Sequence, residues 1–85
     1  LDHNYYYAYN NMGLAYFKLD EYEKAEEAFT KALAVNPEYG YAYLHRGNVR
    51  EMLRKADKAC EDWQKAYDYG VEAAKDYLSI CKTFK

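Results

Sequence analysis

The sequence predicts an all-α fold, an α-solenoid in which about five helices pair as antiparallel hairpins and stack side by side. Three observations carry that expectation. The chain matches itself at an offset of 34 residues, so that Tyr9 falls on Tyr43, Gly13 on Gly47, Leu19 on Leu53, Lys24 on Lys58, Ala25 on Ala59, Glu27 on Glu61, Lys31 on Lys65 and Ala32 on Ala66. Apolar residues recur at the three- and four-residue spacings of a helical face. Helix breakers, Asn36-Pro37 and Gly70, stand where hairpins should end.

The opening LDHNY, Leu1 to Tyr5, aligns at this period with VNPEY, Val35 to Tyr39. Residues 1–5 therefore read as an inter-repeat junction, the end of a helix preceding Leu1, with His3 in the place of Pro37. The first helix follows, with Ala8, Met12, Ala15, Tyr16 and Leu19 on one face. Asp20 offers a capping oxygen to a second helix, EYEKAEEAFTKALAV, whose apolar stripe is Tyr22, Ala25, Ala28, Phe29, Ala32 and Leu33. Residues 6–39 form the first unit and residues 40–73 the second, with helices at Gly40 to Leu53 and Ala56 to Tyr69. Gly70 can supply a left-handed stop. A last helix is expected from about Glu72 to Thr83, burying Tyr77, Ile80, Cys81 and Phe84. Residues 74–85 read either as a capping helix or as the first helix of a truncated third unit. Cys81, at the site of Gly13 and Gly47, fits both.

Composition narrows the function. The chain is 51% hydrophobic and 19% aromatic, which is incompatible with a disordered tail. A net charge of −2, with Lys and Arg interleaved among Asp and Glu, gives no basic stripe for nucleic acid. No apolar run approaches the roughly 20 residues of a membrane span. Cys60 and Cys81 lack metal or redox spacing and read as packing thiols. His3 and His45 have no second ligand at a metal spacing. The paired carboxylates Glu26-Glu27 and Glu61-Asp62 lie among lysines at helical spacing and read as solvated ion-pair faces. With no nucleophile and base constellation, no enzyme activity, cofactor or metal is expected.

The first unit resembles the tetratricopeptide repeat, whose pattern runs W-x2-L-G-x2-Y, then A-x3-F, then P. Tyr9 stands for the Trp and Met12 for the Leu, and Gly13, Tyr16, Ala25, Phe29, Ala32 and Pro37 follow. In the second unit Tyr43, Gly47, Ala59, Trp63 and Ala66 hold, while Arg46, Arg50 and Val71 replace the expected Leu, Tyr and Pro. The small residues have a packing reason. Gly13 and Gly47 should let a first helix approach its partner at Ala25 and Ala59, and Ala32 and Ala66 should admit the following helix. The resemblance implies a right-handed solenoid of about two and a half repeats that binds a protein or peptide in its concave groove without catalysis. The segments RGNVREML and EDWQKAYDYG also resemble bacterial members of that family.

Residues that do not serve the repeat signature should line that groove: Tyr7, Asn10, Asn11, Leu14, Phe17 and Lys18 on the first helix, then Tyr41, Leu44, His45, Asn48, Glu51 and Met52 on the third. The last helix adds Lys75, Leu78, Ser79 and Lys82. Rings, amides and a few cations suit an extended peptide. The subset of the family that clamps a terminal carboxylate is resembled poorly, because Tyr41, His45 and Ser79 stand where amides or cations are wanted. Tyr7 and Tyr41 could instead bridge helices, and Asn10 and Asn11 could be solvated. The alternative is an excised or engineered repeat scaffold that self-associates through exposed repeat ends, giving a homo-oligomer with no specific ligand.

Overall fold

The computed structural model describes residues 5–81. They form α1 (Tyr5–Lys18), α2 (Tyr22–Val35), α3 (Gly40–Met52), α4 (Ala56–Asp68) and α5 (Ala74–Cys81), with no strand among the described residues. His3 of the expected junction, and Lys82, Thr83 and Phe84 of the expected last helix, lie outside them. α1 packs along α2 and α3 along α4; α2 then packs on α3, α4 on α5, and α1 touches α3. The molecule is a helical repeat solenoid.

Each unit is centred on one aromatic ring opposite a glycine. Phe29 on α2 and Trp63 on α4 are fully buried and stand one period apart. A β-carbon on Gly13 would lie 2.6 Å from the Phe29 ring, and one on Gly47 would lie 2.6 Å from the Trp63 indole and 3.2 Å from the carbonyl oxygen of Ala59. The glycines thus make room chiefly for rings, and the expected Ala25 and Ala59 contacts are secondary. Ala32 and Ala66 are fully buried, as helices packed on both sides require. The repeated lysines have a role too: Lys31 sits over Tyr9 at 5.9 Å and Lys65 over Tyr43 at 5.7 Å.

Three helices end in the same way. Behind α4, Gly70 adopts φ +98° while its N–H donates to Tyr67 O at 3.0 Å and the Val71 N–H donates to Ala66 O at 2.9 Å, a Schellman stop. α1 and α3 stop identically, with Asp20 (φ 60°) and Arg54 (φ 63°) in the left-handed position. Asp20 is therefore not the cap of α2. The residue at that cap is Glu21, and the Asp20 carboxylate instead accepts the Tyr22 hydroxyl at 3.0 Å. The stop after α4 and the turn that follows occupy residues 70–73, so α5 starts at Ala74 and not near Glu72.

Two further expectations are corrected. The stripe read on α1 is mostly uncovered: Ala8 and Ala15 are exposed, Met12 is 44% and Leu19 68% exposed. One period on, Ala42 and Val49 of α3 are fully buried, because α2 lies over that face. No described element plays the part of α2 for α1. Ile80 is likewise exposed, at 40%. The cysteines are not free packing thiols: Cys60 and Cys81 form a disulfide with Cα atoms 5.9 Å apart, closing a loop with a sequence separation of 21. A loop of that length is worth about 3 kcal/mol on chain-entropy grounds.

Candidate functional site

The residues expected to line a groove come from α1, α3 and α5. The structure separates them by burial. Tyr7, Asn11, Lys18, Tyr41, Met52 and Lys75 are all exposed. Tyr7 and Tyr41 are also bridging rings: Tyr39 lies between them, 5.5 Å from Tyr7 and 6.1 Å from Tyr41, and Tyr6 packs on both Tyr7 and Tyr39. About half of each outer ring remains free, 49% for Tyr7 and 54% for Tyr41. Burial, then the neighbouring Tyr7 and Tyr41, raise the Tyr39 phenol above its ordinary value.

A second group belongs to the core. Leu44 is only 8% exposed and packs with Tyr43 and Trp63, so it offers a ligand little. Leu14 and Phe17 pack against the cluster of Ala25, Phe29 and Val49. His45 stacks on Phe29 with centroids 5.6 Å apart and planes 29° apart. Its burial lowers the imidazole pKa, which keeps the ring neutral near pH 7 and makes it a packing group more than a cation for a ligand.

The third group is two amides, Asn10 buried and Asn48 half-buried. Asn10 follows Tyr6 by four residues and precedes Gly13 by three, which turns it inward with both. It is 5% exposed, and its Oδ1 atom is buried with no hydrogen-bond partner among the described residues. Asn48 on α3 is half-buried, and its Oδ1 accepts the Trp63 Nε1–H at 3.1 Å, which orients the amide from behind. Nothing in the sequence distinguishes the unpartnered amide from its neighbour Asn11, since one helical residue of rotation separates burial from exposure.

An ionic network went unread in the sequence. Asp62 accepts Arg46 Nε at 2.9 Å and Nη2 at 2.8 Å, and Arg50 Nη1 at 2.9 Å. Arg50 Nε also reaches Glu26 at 2.8 Å, Lys55 Nζ reaches the same carboxylate at 3.0 Å, and Arg46 Nη1 donates to Thr30 at 3.2 Å. The side chain of Asp62 is 3% exposed and that of Glu26 16%, whereas Glu27 and Glu61 are exposed. One member of each carboxylate pair is thus a seam residue and not part of a solvated face. Burial pushes the Glu26 carboxyl up, but hydrogen bonds from Arg50 and Lys55, with their charges, offset this and hold it below the usual carboxylate value. These arginines are the residues that depart from the repeat pattern in the second unit. They replace apolar packing with a closed set of charge-assisted bonds.

Among the described residues no group of three or more His, Cys, Asp and Glu could hold a metal ion, and no helix is long and apolar enough to cross a membrane. Residues 6–39 match the family described as Tetratricopeptide repeat. The chain is similar to part of the transcription activator GutR of Bacillus subtilis, 42% identical over 64 residues, which are 69% of this chain and 8% of that protein. It is similar also to RNA polymerase II-associated protein 3 of Xenopus tropicalis, 37% identical over 61 residues (72% of this chain, 9% of that protein), and of human, 35% over 58 residues (68% and 9%). The matched stretch is thus less than a tenth of each relative's length.

Proposed function

We propose, from the premise that this is a tetratricopeptide-type helical repeat protein, that it is a protein-interaction module whose α1–α3–α5 face holds an extended segment of a partner protein. Repeats of this type generally mediate protein–protein interaction, and the name of the RNA polymerase II-associated relatives records a protein association for those proteins. The observation that supports the reading best is the buried, unpartnered carbonyl of Asn10. Leaving such an acceptor unmade costs about 1–3 kcal/mol in a protein interior, so it is poorly explained by stability. Once the buried amide turns outward, a peptide backbone N–H would satisfy it, and the half-exposed Tyr7 and Tyr41 would flank the same strand with apolar surface.

The test uses peptides selected from a random-peptide phage library against the 85-residue chain. Asn10→Leu should raise the urea midpoint, because the orphan acceptor is gone, while weakening the selected peptides about tenfold or more. Undiminished affinity in that variant would remove Asn10 from the site and the groove with it.

The second reading, association of copies through a repeat end, draws on the uncovered face of α1 and α2. There Met12, Tyr16, Lys24, Glu27, Ala28 and Lys31 line a shallow depression of about 150 Å³. Sedimentation across micromolar to millimolar concentration separates the two, since a strict monomer throughout leaves only the first.

A further inference from the structure

We propose that the Cys60–Cys81 disulfide is a redox latch: oxidised, it holds α5 against α4 as a cap, and reduced by a thiol it lets α5 leave and bares the Trp63 side of α4. The latch stands or falls independently of what the groove binds.

The case begins with how α5 is held, which among the described residues is by packing on α4. Ala74 is the only residue of α5 that is fully buried, Tyr77 stacks on Trp63 with centroids 5.2 Å apart, and Leu78 and Cys81 are partly covered. The disulfide ties α4 to Cys81, the described residue of α5 most remote from the α4–α5 turn. Both half-cystines are only partly buried, so neither residue is sealed in the core. Cys60 also occupies, one period on, the place of Glu26, the carboxylate that pins α3 to α2. At that position the last seam has a bond that can be made and broken by electrons in place of one set by charge.

The chemistry balances with a dithiol reductant. One of its thiolates attacks a disulfide sulfur, giving a mixed disulfide and releasing one cysteine thiolate. Its second thiolate then displaces the protein, so the reductant leaves as a disulfide while two electrons and two protons remain on Cys60 and Cys81. Oxidation by a small disulfide such as oxidised glutathione runs the same steps backward.

The reporter is already in the chain, since Trp63 is its only tryptophan and is 1% exposed. Hydrogen exchange by mass spectrometry and the Trp63 emission maximum are compared for the oxidised chain, the chain reduced with dithiothreitol and trapped by alkylation, and the Cys60→Ser/Cys81→Ser variant. Reduction should cut protection of the amides at residues 77–81 on the order of a hundredfold. Emission should shift red, α1 and α2 should keep their protection, and the double variant should match the reduced chain with or without thiol. Three results would overturn the latch: unchanged α5 protection and emission in alkylated chain, loss of protection in α1–α4 together with α5, or failure of the two thiols to pair in oxidised glutathione. The second would mean the bond staples the whole fold.

Discussion

The seams joining each hairpin to the next helix, α2 to α3 and α4 to α5, share one geometry and are closed by different chemistry. At the first, Glu26 meets Arg50 and Lys55, while Arg46 and Arg50 together hold the Asp62 carboxylate of α4. At the second, Cys60 stands in the Glu26 position and is bonded to Cys81. The first draws its charges from α2, α3 and α4, whereas the second needs one residue on each side. The first seam should therefore respond to pH and to loss of single charges, and the second to redox state.

The largest effect on the polar seam should come from Asp62→Ala. It leaves two arginine side chains, 14% and 16% exposed, without their shared counter-charge, and should cost about 3 kcal/mol or more in urea unfolding. The repeat itself supplies the complementary experiment. One period earlier, Met12, Tyr16 and Ala28 occupy the places of Arg46, Arg50 and Asp62. The combined variant Arg46→Met, Arg50→Tyr and Asp62→Ala should recover most of the loss and come within about 1–2 kcal/mol of the parent, because apolar packing can replace the buried set around Asp62 while Lys55 still pairs Glu26. If the triple variant is no better than Asp62→Ala alone, the seam depends on charge in a way that packing cannot supply.

This contrast also explains what the sequence could and could not reveal. The repeat period, the five helices and the central rings Phe29 and Trp63 were legible because they recur, and because glycine and alanine at fixed offsets have few other reasons to do so. Left-handed stops at Asp20 and Arg54 were not, since only Gly70 carries the residue that advertises one; an Asp before a helix reads equally well as its cap. Arg46 and Arg50 registered as departures from a pattern, yet their partners lie on other helices, 16 and 12 residues away for Asp62 and 24 for Glu26, and local spacing says nothing about such pairs. The same blindness hid the disulfide. In the candidate groove, the list of residues was drawn from helical faces alone, and it could not separate Leu44 and His45, which pack inward, from Tyr41 and Asn48.

A smaller effect isolates the α2 side of the polar seam. Glu26→Gln keeps the shape and removes the charge facing Arg50 and Lys55, and should cost about 1–2 kcal/mol. Because the folded Glu26 pKa lies below its unfolded value of about 4.3, this contribution is complete above that value and disappears as pH falls through the folded pKa. The urea midpoint of the parent should therefore fall more steeply on acidification below about pH 4 than that of Glu26→Gln. Parallel acid limbs would show that the carboxylate contributes no more charged than neutral.

The smallest effect concerns His45, which lies on the same seam and also loses stability in acid, but at higher pH than Glu26. Its folded pKa is depressed by burial on Phe29, so the unfolded chain takes up the proton first as pH falls below about 6.5. Stability should decline through the window between that value and the folded pKa and level off beneath it, since there both states are protonated. His45→Phe preserves a ring against Phe29 and cannot titrate. The fall in urea midpoint from about pH 7.5 to about pH 5.5 should be shallower in the variant than in the parent. His3 is common to both chains and cancels in the difference. An identical fall in both would mean that protonated His45 is accommodated where it stands, and would return it to the candidate groove as a residue able to meet an acidic ligand.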